Sequence, residues 1–442
     1  MRIACLLSLT ACLAMAADPV QLSLKRAVDV AISPEGSARI QLADEALKQA
    51  QARALEQRAA LLPNVDASFT DQSRTQNLAA LGFSTSTFGA IPIPGFSIKT
   101  FVGPFTTVDA RLNASQSVFD FSTIRRYQAS KVGVTAARSD AESTQEQVAS
   151  QVARAYLAAV KGDADVETAL ANVTLSEALL KQSENEKEVG TGTGIEITRA
   201  KVQLANDRQR LLVAQNARHS AHLQLLRAMN MRLDTDLELT DKLHYIPVDA
   251  VTIEAVKTQA LKERPDLKAQ QHRESNARLS ASATRLERLP SLAAFGDYGD
   301  IGSALNNAVP TRSVGIQLKV PVFDGGRRDA RRQESASQYR SETVRTNDLK
   351  EQIELDVRLA LDSLQSADQE VKVAQEGLDL ASNELTQARR RYDAGVAVSV
   401  EVTDAQTRLE RARDNTTDAL YSYNLARLDL AQATGRVRAM VQ

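Results

Sequence analysis

The sequence predicts a mainly α-helical protein with a small β part, built from two copies of a strand, strand and long helical hairpin unit. Three observations carry this. Proline, which breaks helix interiors, is absent from the 142 residues between Pro104 and Pro247 and from the 121 residues after Pro321. Phenylalanine is distributed the other way: eight of ten lie between Phe69 and Phe121, and the others are Phe295 and Phe323. Finally, segments recur in order. Val118-Phe119-Asp120 returns 204 residues later as Val322-Phe323-Asp324, and Leu62-Pro63 returns as Leu289-Pro290.

Residues 1–17 read as a signal peptide, with Arg2, the apolar run Ile3 to Leu13, and the small-residue site Ala14-Met15-Ala16-Ala17. Leu9-Thr10-Ala11-Cys12 also resembles a lipobox, which would make Cys12 a lipidated N-terminus. Cys5 and Cys12 are the two cysteines. Cleavage near Ala17 would remove both, and with them any disulfide or cysteine-based site.

The first repeat, residues 18–246, opens with a helix around Leu24–Ile32. Strands follow at about 64–75, where Val65, Ala67 and Phe69 share a face, and about 105–118. In the latter, Val108, Ala110, Leu112 and Ala114 alternate with Asp109, Arg111, Asn113 and Ser115, giving one apolar and one polar face. A helical hairpin spans about 122–235. Its ascending helix carries Val148, Val152, Ala155, Ala159, Gly162, Val166, Ala169 and Val173. Three-four spacing is a coiled-coil seam. At about 66 residues this helix would be on the order of 100 Å long. Gly190 marks the turn, and Ile197, Ala200, Leu204, Leu211, Ala214, Ala221, Leu225 and Ala228 return, interrupted by Asp207 and Arg218.

The second repeat, residues 247–442, has a helix around Val251–Leu261 and strands at about 290–301 and 311–323. The first of these strands alternates poorly; the second alternates Val314, Ile316, Leu318 and Val320 with Ser313, Gly315, Gln317 and Lys319. The hairpin spans about 326–435. Ile353, Val357, Ala360, Leu364, Ala367, Val371, Ala374, Leu378, Ala381, Leu385 and Ala388 form an unbroken seam, and Tyr392 falls on its next step. After Gly395, Val402, Ala405, Leu409, Ala412, Ala419, Tyr423, Ala426 and Leu430 return around Thr416.

Composition excludes some partners. Lys and Arg number 54 against 55 Asp and Glu, which gives no basis for binding nucleic acid by bulk charge. Charged residues make up 25%, mean hydropathy is −0.28, and no stretch after the leader approaches a membrane-spanning helix. Gly190-Thr191-Gly192-Thr193-Gly194 has neither the Gly-Lys-Ser/Thr nor the preceding strand of a phosphate loop. His219 and His222 share a helix face, either as a metal pair or as a solvated face. Arg327, Arg328, Arg331 and Arg332 either meet lipid phosphates or form a solvated helix start paired with Asp324 and Asp329.

Four strands with one apolar face cannot close a barrel alone. Strands from several exported chains could, in an outer membrane. The alternative is a periplasmic coiled-coil scaffold with a small sheet. Several motifs go further. They are Leu22-Ser23-Leu24 with Ala27, Arg264-Pro265-Asp266-Leu267, and Val322-Phe323-Asp324-Gly325-Gly326-Arg327. Arg391-Tyr392-Asp393-Ala394-Gly395-Val396 follows, with Asp404-Ala405-Gln406-Thr407-Arg408-Leu409. In this order, and duplicated, the chain resembles the TolC-like outer-membrane efflux protein family over nearly its whole length.

The resemblance implies a homotrimer, with a twelve-stranded outer-membrane β-barrel continuous with a periplasmic α-helical tunnel. It implies an exit duct for drugs, small molecules or proteins, working with a periplasmic adaptor and an inner-membrane transporter amid outer-membrane lipid. It implies no catalysis and no cofactor. It places Glu196, Glu401 and Asp404 at the periplasmic entrance, as rings of like charge; helix capping is the other reading of these acids. Tyr392 matches a residue that helps hold that entrance shut, and is otherwise a seam residue. Ala397 stands where the best-known members carry arginine, and Lys187 takes Tyr392's place in the first copy. The resemblance also implies that Val189, Gly190, Thr191, Ala394, Gly395 and Val396 meet the adaptor, and that Leu78–Pro104 faces outside the cell. The substrate is not readable from the sequence.

Overall fold

The computed structural model describes residues 20–82, 99–190, 192–248 and 252–441. The leader with Cys12, Thr191, Val251 and the centre of the Leu78–Pro104 connection lie outside these. In chain order the elements are β1 (Val20–Leu22), α1 (Leu24–Ile32), α2 (Ala38–Ala59), β2 (Asn64–Asn77), β3 (Phe101–Phe119), α3 (Phe121–Glu188) and α4 (Gly194–Ala228). Then come β4 (Leu237–Leu239), α5 (Ile253–Glu263), α6 (Pro265–Leu286), β5 (Ser291–Gly302), β6 (Val309–Lys319), α7 (Arg327–Asp393), α8 (Ser399–Thr434) and α9 (Val437–Val441). The ascending helices have 68 and 67 residues. Two details depart from the sequence reading. The last strand ends at Lys319, so Val320–Phe323 lie beyond it. Helices α2 and α6 add a second leading helix to each repeat, beyond those the sequence locates; α2 buries only Ile40, so no apolar stripe announces it.

Contacts divide the chain into two compact units. One comprises Met1–Ala46, Arg138–Ala269 and Asn347–Gln442; the other comprises Leu47–Ala137 and Gln270–Thr346. These units do not coincide with the sequence repeats. Each draws on both, because elements of one repeat pair with elements of the other.

The smaller unit contains an antiparallel sheet in the order β2-β3-β5-β6. Its inner pairing joins β3 of the first repeat to β5 of the second, with Leu112 opposite Tyr298. The registers assemble one apolar face from Val65, Ala67 and Phe69, then Ala110, Leu112 and Ala114, then Leu292, Ala294 and Tyr298, then Val314, Ile316 and Leu318. Many of these side chains are exposed. The opposite face carries a polar lattice. Arg111 donates to Asp109 at 3.0 Å and to Asp297 at 2.5 Å, and Asn113 donates to Asp66 at 3.1 Å. The weak alternation of β5 has a local cause. Phe295 lies on the polar face, where Gly315 leaves room for its ring: a Cβ there would meet Phe295 Cζ at 2.6 Å.

The larger unit is held by the helical seams. Val148, Val152, Ala159 and Val173 of α3 are buried, as are Ile353, Val357, Ala360, Leu364, Ala367, Val371, Ala381, Leu385 and Ala388 of α7. Alanine and glycine at these steps allow close helix approach. At Gly162, a Cβ would stand 3.1 Å from Arg218 Cα on the returning helix. One core gathers Leu22, Val28, Tyr156, Leu226 and Leu428. There the single proton of the Tyr156 hydroxyl is shared between the Leu22 carbonyl and the Asp241 carboxylate, both at 2.9 Å. Asp241 also accepts the Leu24 amide at 2.7 Å, capping α1. In the Arg-Pro-Asp-Leu motif, Arg264 bonds Asp266 through two nitrogens and Asp356 at 2.8 Å, fixing α5 and α6 against α7.

Candidate functional site

The two hairpin turns share one construction. Gly190 and Gly395 adopt left-handed angles, with φ of +80° and +73°. The Gly192 amide bonds the Glu186 carbonyl and the Val396 amide bonds the Arg391 carbonyl, both at 2.9 Å, satisfying carbonyls that the helix ends leave open. Nothing lies within 4 Å of a Cβ built on either glycine. Glycine therefore serves the backbone angle here. Val189, Ile195, Val396 and Val398 stand exposed around the turns.

Side chains tie the two tips together. The Tyr392 hydroxyl, on the last turn of α7, donates to the Glu186 carboxylate on α3. Gln182 donates to Glu186 at 3.1 Å and reaches Asp393 at 3.4 Å. Burial, then the bond to Glu186, pushes the Tyr392 hydroxyl well above its usual value of 10, so it remains a donor at physiological pH. Its ring also packs, with Leu175 and Leu179 of α3, against the apolar cluster that holds Leu385, Ala388, Val402, Ala405 and Leu409. Tyr392 is thus both a seam residue and a bonding partner.

The three acids of the sequence reading have different surroundings. Glu196 accepts the Thr193 amide at 2.8 Å, the helix-capping role considered above. Glu401 pairs with Arg391 across its own turn at 3.1 Å, so its charge is partly neutralised. Asp404 is exposed, and no ion pair reaches it among the described residues.

Farther from the turns is a buried polar cluster that the sequence reading missed. Asp207 is 1% exposed, Glu410 2% and Gln406 0%. Ser176 donates to Asp207 at 2.5 Å, Gln203 to Asp207 at 3.1 Å and Gln406 to Ser176 at 2.9 Å. Arg210 of α4 bonds Glu410 of α8 at 2.7 Å and lies 3.6 Å from Asp207. One guanidinium therefore serves two buried carboxylates from different repeats. Burial, with the Asp207 charge, raises Glu410 above its ordinary 4.5 despite Arg210. The available signal was Asp207 itself, an acid on a seam position. The second carboxylate that Arg210 serves, Glu410, lies 200 residues from it in sequence.

His222 is not on a solvated face. Its Nε2 lies 3.1 Å from Asp163, which also accepts from Arg218 at 2.5 Å. Among the described residues, no group of three or more His, Cys, Asp or Glu side chains is placed to hold a metal ion.

The model of the family described as "Outer membrane efflux protein" matches residues 35–231 and 256–436. The chain belongs to the outer membrane efflux protein family. Alkaline protease secretion protein AprF of Pseudomonas aeruginosa is 24% identical over 320 residues, 71% of this chain and 66% of its own length. Outer membrane protein TolC of Vibrio cholerae is 23% identical over 336 residues, 74% of this chain and 76% of its own. The fold matches the Campylobacter jejuni CmeC outer membrane channel with a TM-score of 0.75 at 18% identity, covering 93% of this chain and 85% of CmeC. It matches VceC of Vibrio cholerae with a TM-score of 0.77 at 17% identity, over 93% and 96%. This outer membrane efflux protein is accordingly an outer-membrane protein with a large periplasmic portion, and it is not an enzyme. In this family member, Arg391 sits across the second turn from Glu401, while Ala397 brings no charge to the tip.

Proposed function

We propose that the protein is the exit duct of a tripartite efflux or type I secretion system. Three chains would close a twelve-stranded barrel from their four-stranded sheets, with the apolar face in lipid and the Arg111–Asp297 face around water. The single observation that supports this most is the sheet: one exposed apolar face, one hydrogen-bonded polar face, and outer strands β2 and β6 each paired on one side only. A periplasmic scaffold without a channel gives that apolar face no use.

The exposed Val189, Ile195, Val396 and Val398 around the two glycine turns suit end-on contact with an adaptor. Transport energy would come from an inner-membrane transporter reached through the adaptor. AprF is named for alkaline protease secretion, and a further relative, OpmQ of Pseudomonas putida, 25% identical over 397 residues, for pyoverdine export, so protein and small-molecule cargo both fit this architecture. The test is fractionation with bilayer recording. A heat-dissociable trimer in the outer membrane that conducts ions is the expected result. A non-conducting monomer would overturn the reading.

A further inference from the structure

At the base of the sheet, within the smaller unit, the starts of α3 and α7 border one groove of about 510 Å³. Arg126, Lys319, Arg327, Arg328 and Arg331 line it against only Asp120, Glu287 and Asp324. Two of these carboxylates are occupied locally. Asp120 caps α3 through the Ser122 amide at 2.9 Å, and Asp324 takes the Arg328 amide at 3.1 Å and its guanidinium at 2.7 Å. Glu287 is shared by Arg126 and Arg331. Arg327 and Lys319 have no carboxylate partner among the described residues. Ser122, also lining the groove, is 5% exposed, and its Oγ has no hydrogen-bond partner. Surplus cationic side chains and a buried unpaired hydroxyl, beside two helix starts already capped by Asp120 and Asp324, make an anion site.

The groove adjoins an apolar surface. The apolar face of β6, with Val314, Ile316 and Leu318, continues past the strand into exposed Val320, then Val322 at 91% and Phe323 at 88% exposure. Acyl chains beside these side chains would bring a headgroup phosphate to the arginines, at the depth where apolar surface gives way to charge. We propose that this groove binds the headgroup phosphate of an anionic phospholipid, with Arg327 and Ser122 as direct contacts. The excess of cations disfavours headgroups that carry their own ammonium. The inference rests on the sheet lying in the membrane, which fractionation and conductance test separately.

The test is native mass spectrometry of the full-length protein released from mixed micelles of phosphatidylglycerol and phosphatidylcholine. Phosphatidylglycerol should be retained preferentially, and Arg327→Gln should lower that preference about fivefold. Arg327→Lys should restore most of it. Should Arg327→Gln fail to assemble, Ser122→Ala, which removes a hydroxyl without touching any ion pair, should lower retention in the same direction. Equal retention of both lipids, or unchanged preference in variants that assemble, overturns the proposal. Displacement by inorganic phosphate at equal concentration would mark a site for free anions and overturn it as well. Loss of lipid preference with conductance intact would sink the lipid site alone.

Discussion

Asp404 and Glu401 lie three residues apart on α8, but only one has its charge paired. Arg391 offsets Glu401, whereas Asp404 is exposed without an ion pair. In the proposed trimer these acids would form rings of like charge, which attract cations, so Asp404→Ala should weaken cation block in bilayers more than Glu401→Ala. Equal effects would mean that the Arg391 pair leaves Glu401's charge at work. Tyr392→Phe removes the bond to Glu186 while keeping the ring in its packing. It should raise single-channel conductance, and an unchanged conductance would show that this tie does not restrain the entrance. Glu410 makes a pH prediction. Its pKa is raised in the folded chain, so its contribution to stability is full below 4.5 and is lost as pH rises through the raised value. Glu410→Gln imitates the protonated form. The melting difference between variant and wild type should be small near pH 5 and should favour the variant toward pH 8. The opposite trend would show that the bond to Arg210 outweighs the burial cost. At this scale the sequence disclosed positions better than partners. Tyr392 was conspicuous beside Gly395, but Glu186, 206 residues earlier, carried no mark of the bond.

Helices and strands were more legible where geometry imposes a period. The three-four spacing of the seams follows from the turn of the helix, and their residues are buried. The weak alternation of β5 was a side-chain exchange between neighbouring strands. Phe295 takes the polar face because Gly315 opposite it has no Cβ. Gly315→Ala should therefore push the exposed tip of the Phe295 ring aside at a cost of about 1 kcal/mol, and Phe295→Ala should recover much of that loss. Thermal melting of the single and double variants in detergent would measure the coupling, and additive losses would rule out the contact. Gly162 sets a similar limit on α3 and α4 through its approach to Arg218. Helix α2 was hard to read because most of its side chains face solvent in the single chain.

At the scale of the whole molecule, the sequence repeat and the compact unit are different divisions. Repetition reflects how the sequence is written, whereas compactness reflects which surfaces meet, and β3–β5 pairing and Arg210–Glu410 bonding both cross the repeat boundary. A chain ending at Ile246 should therefore yield no protease-resistant fragment, while both halves supplied together should recover one. A stable first half alone would contradict this. The family resemblance was visible because short motifs recur in fixed order. The charge balance at the tips was not, since it depends on pairings that only the fold creates.

The inner position of the β3–β5 pairing also bears on timing. A strand flanked on one side by a neighbour that is translated almost two hundred residues later must wait for it. During that wait the apolar face made by Phe69, Ala110 and Leu112 has no lipid and no complete sheet around it. Contacts so distant in sequence form slowly, and a half-paired sheet is an adhesive surface. Export and insertion of this chain should therefore depend on periplasmic holding factors until its last strand, β6, has emerged.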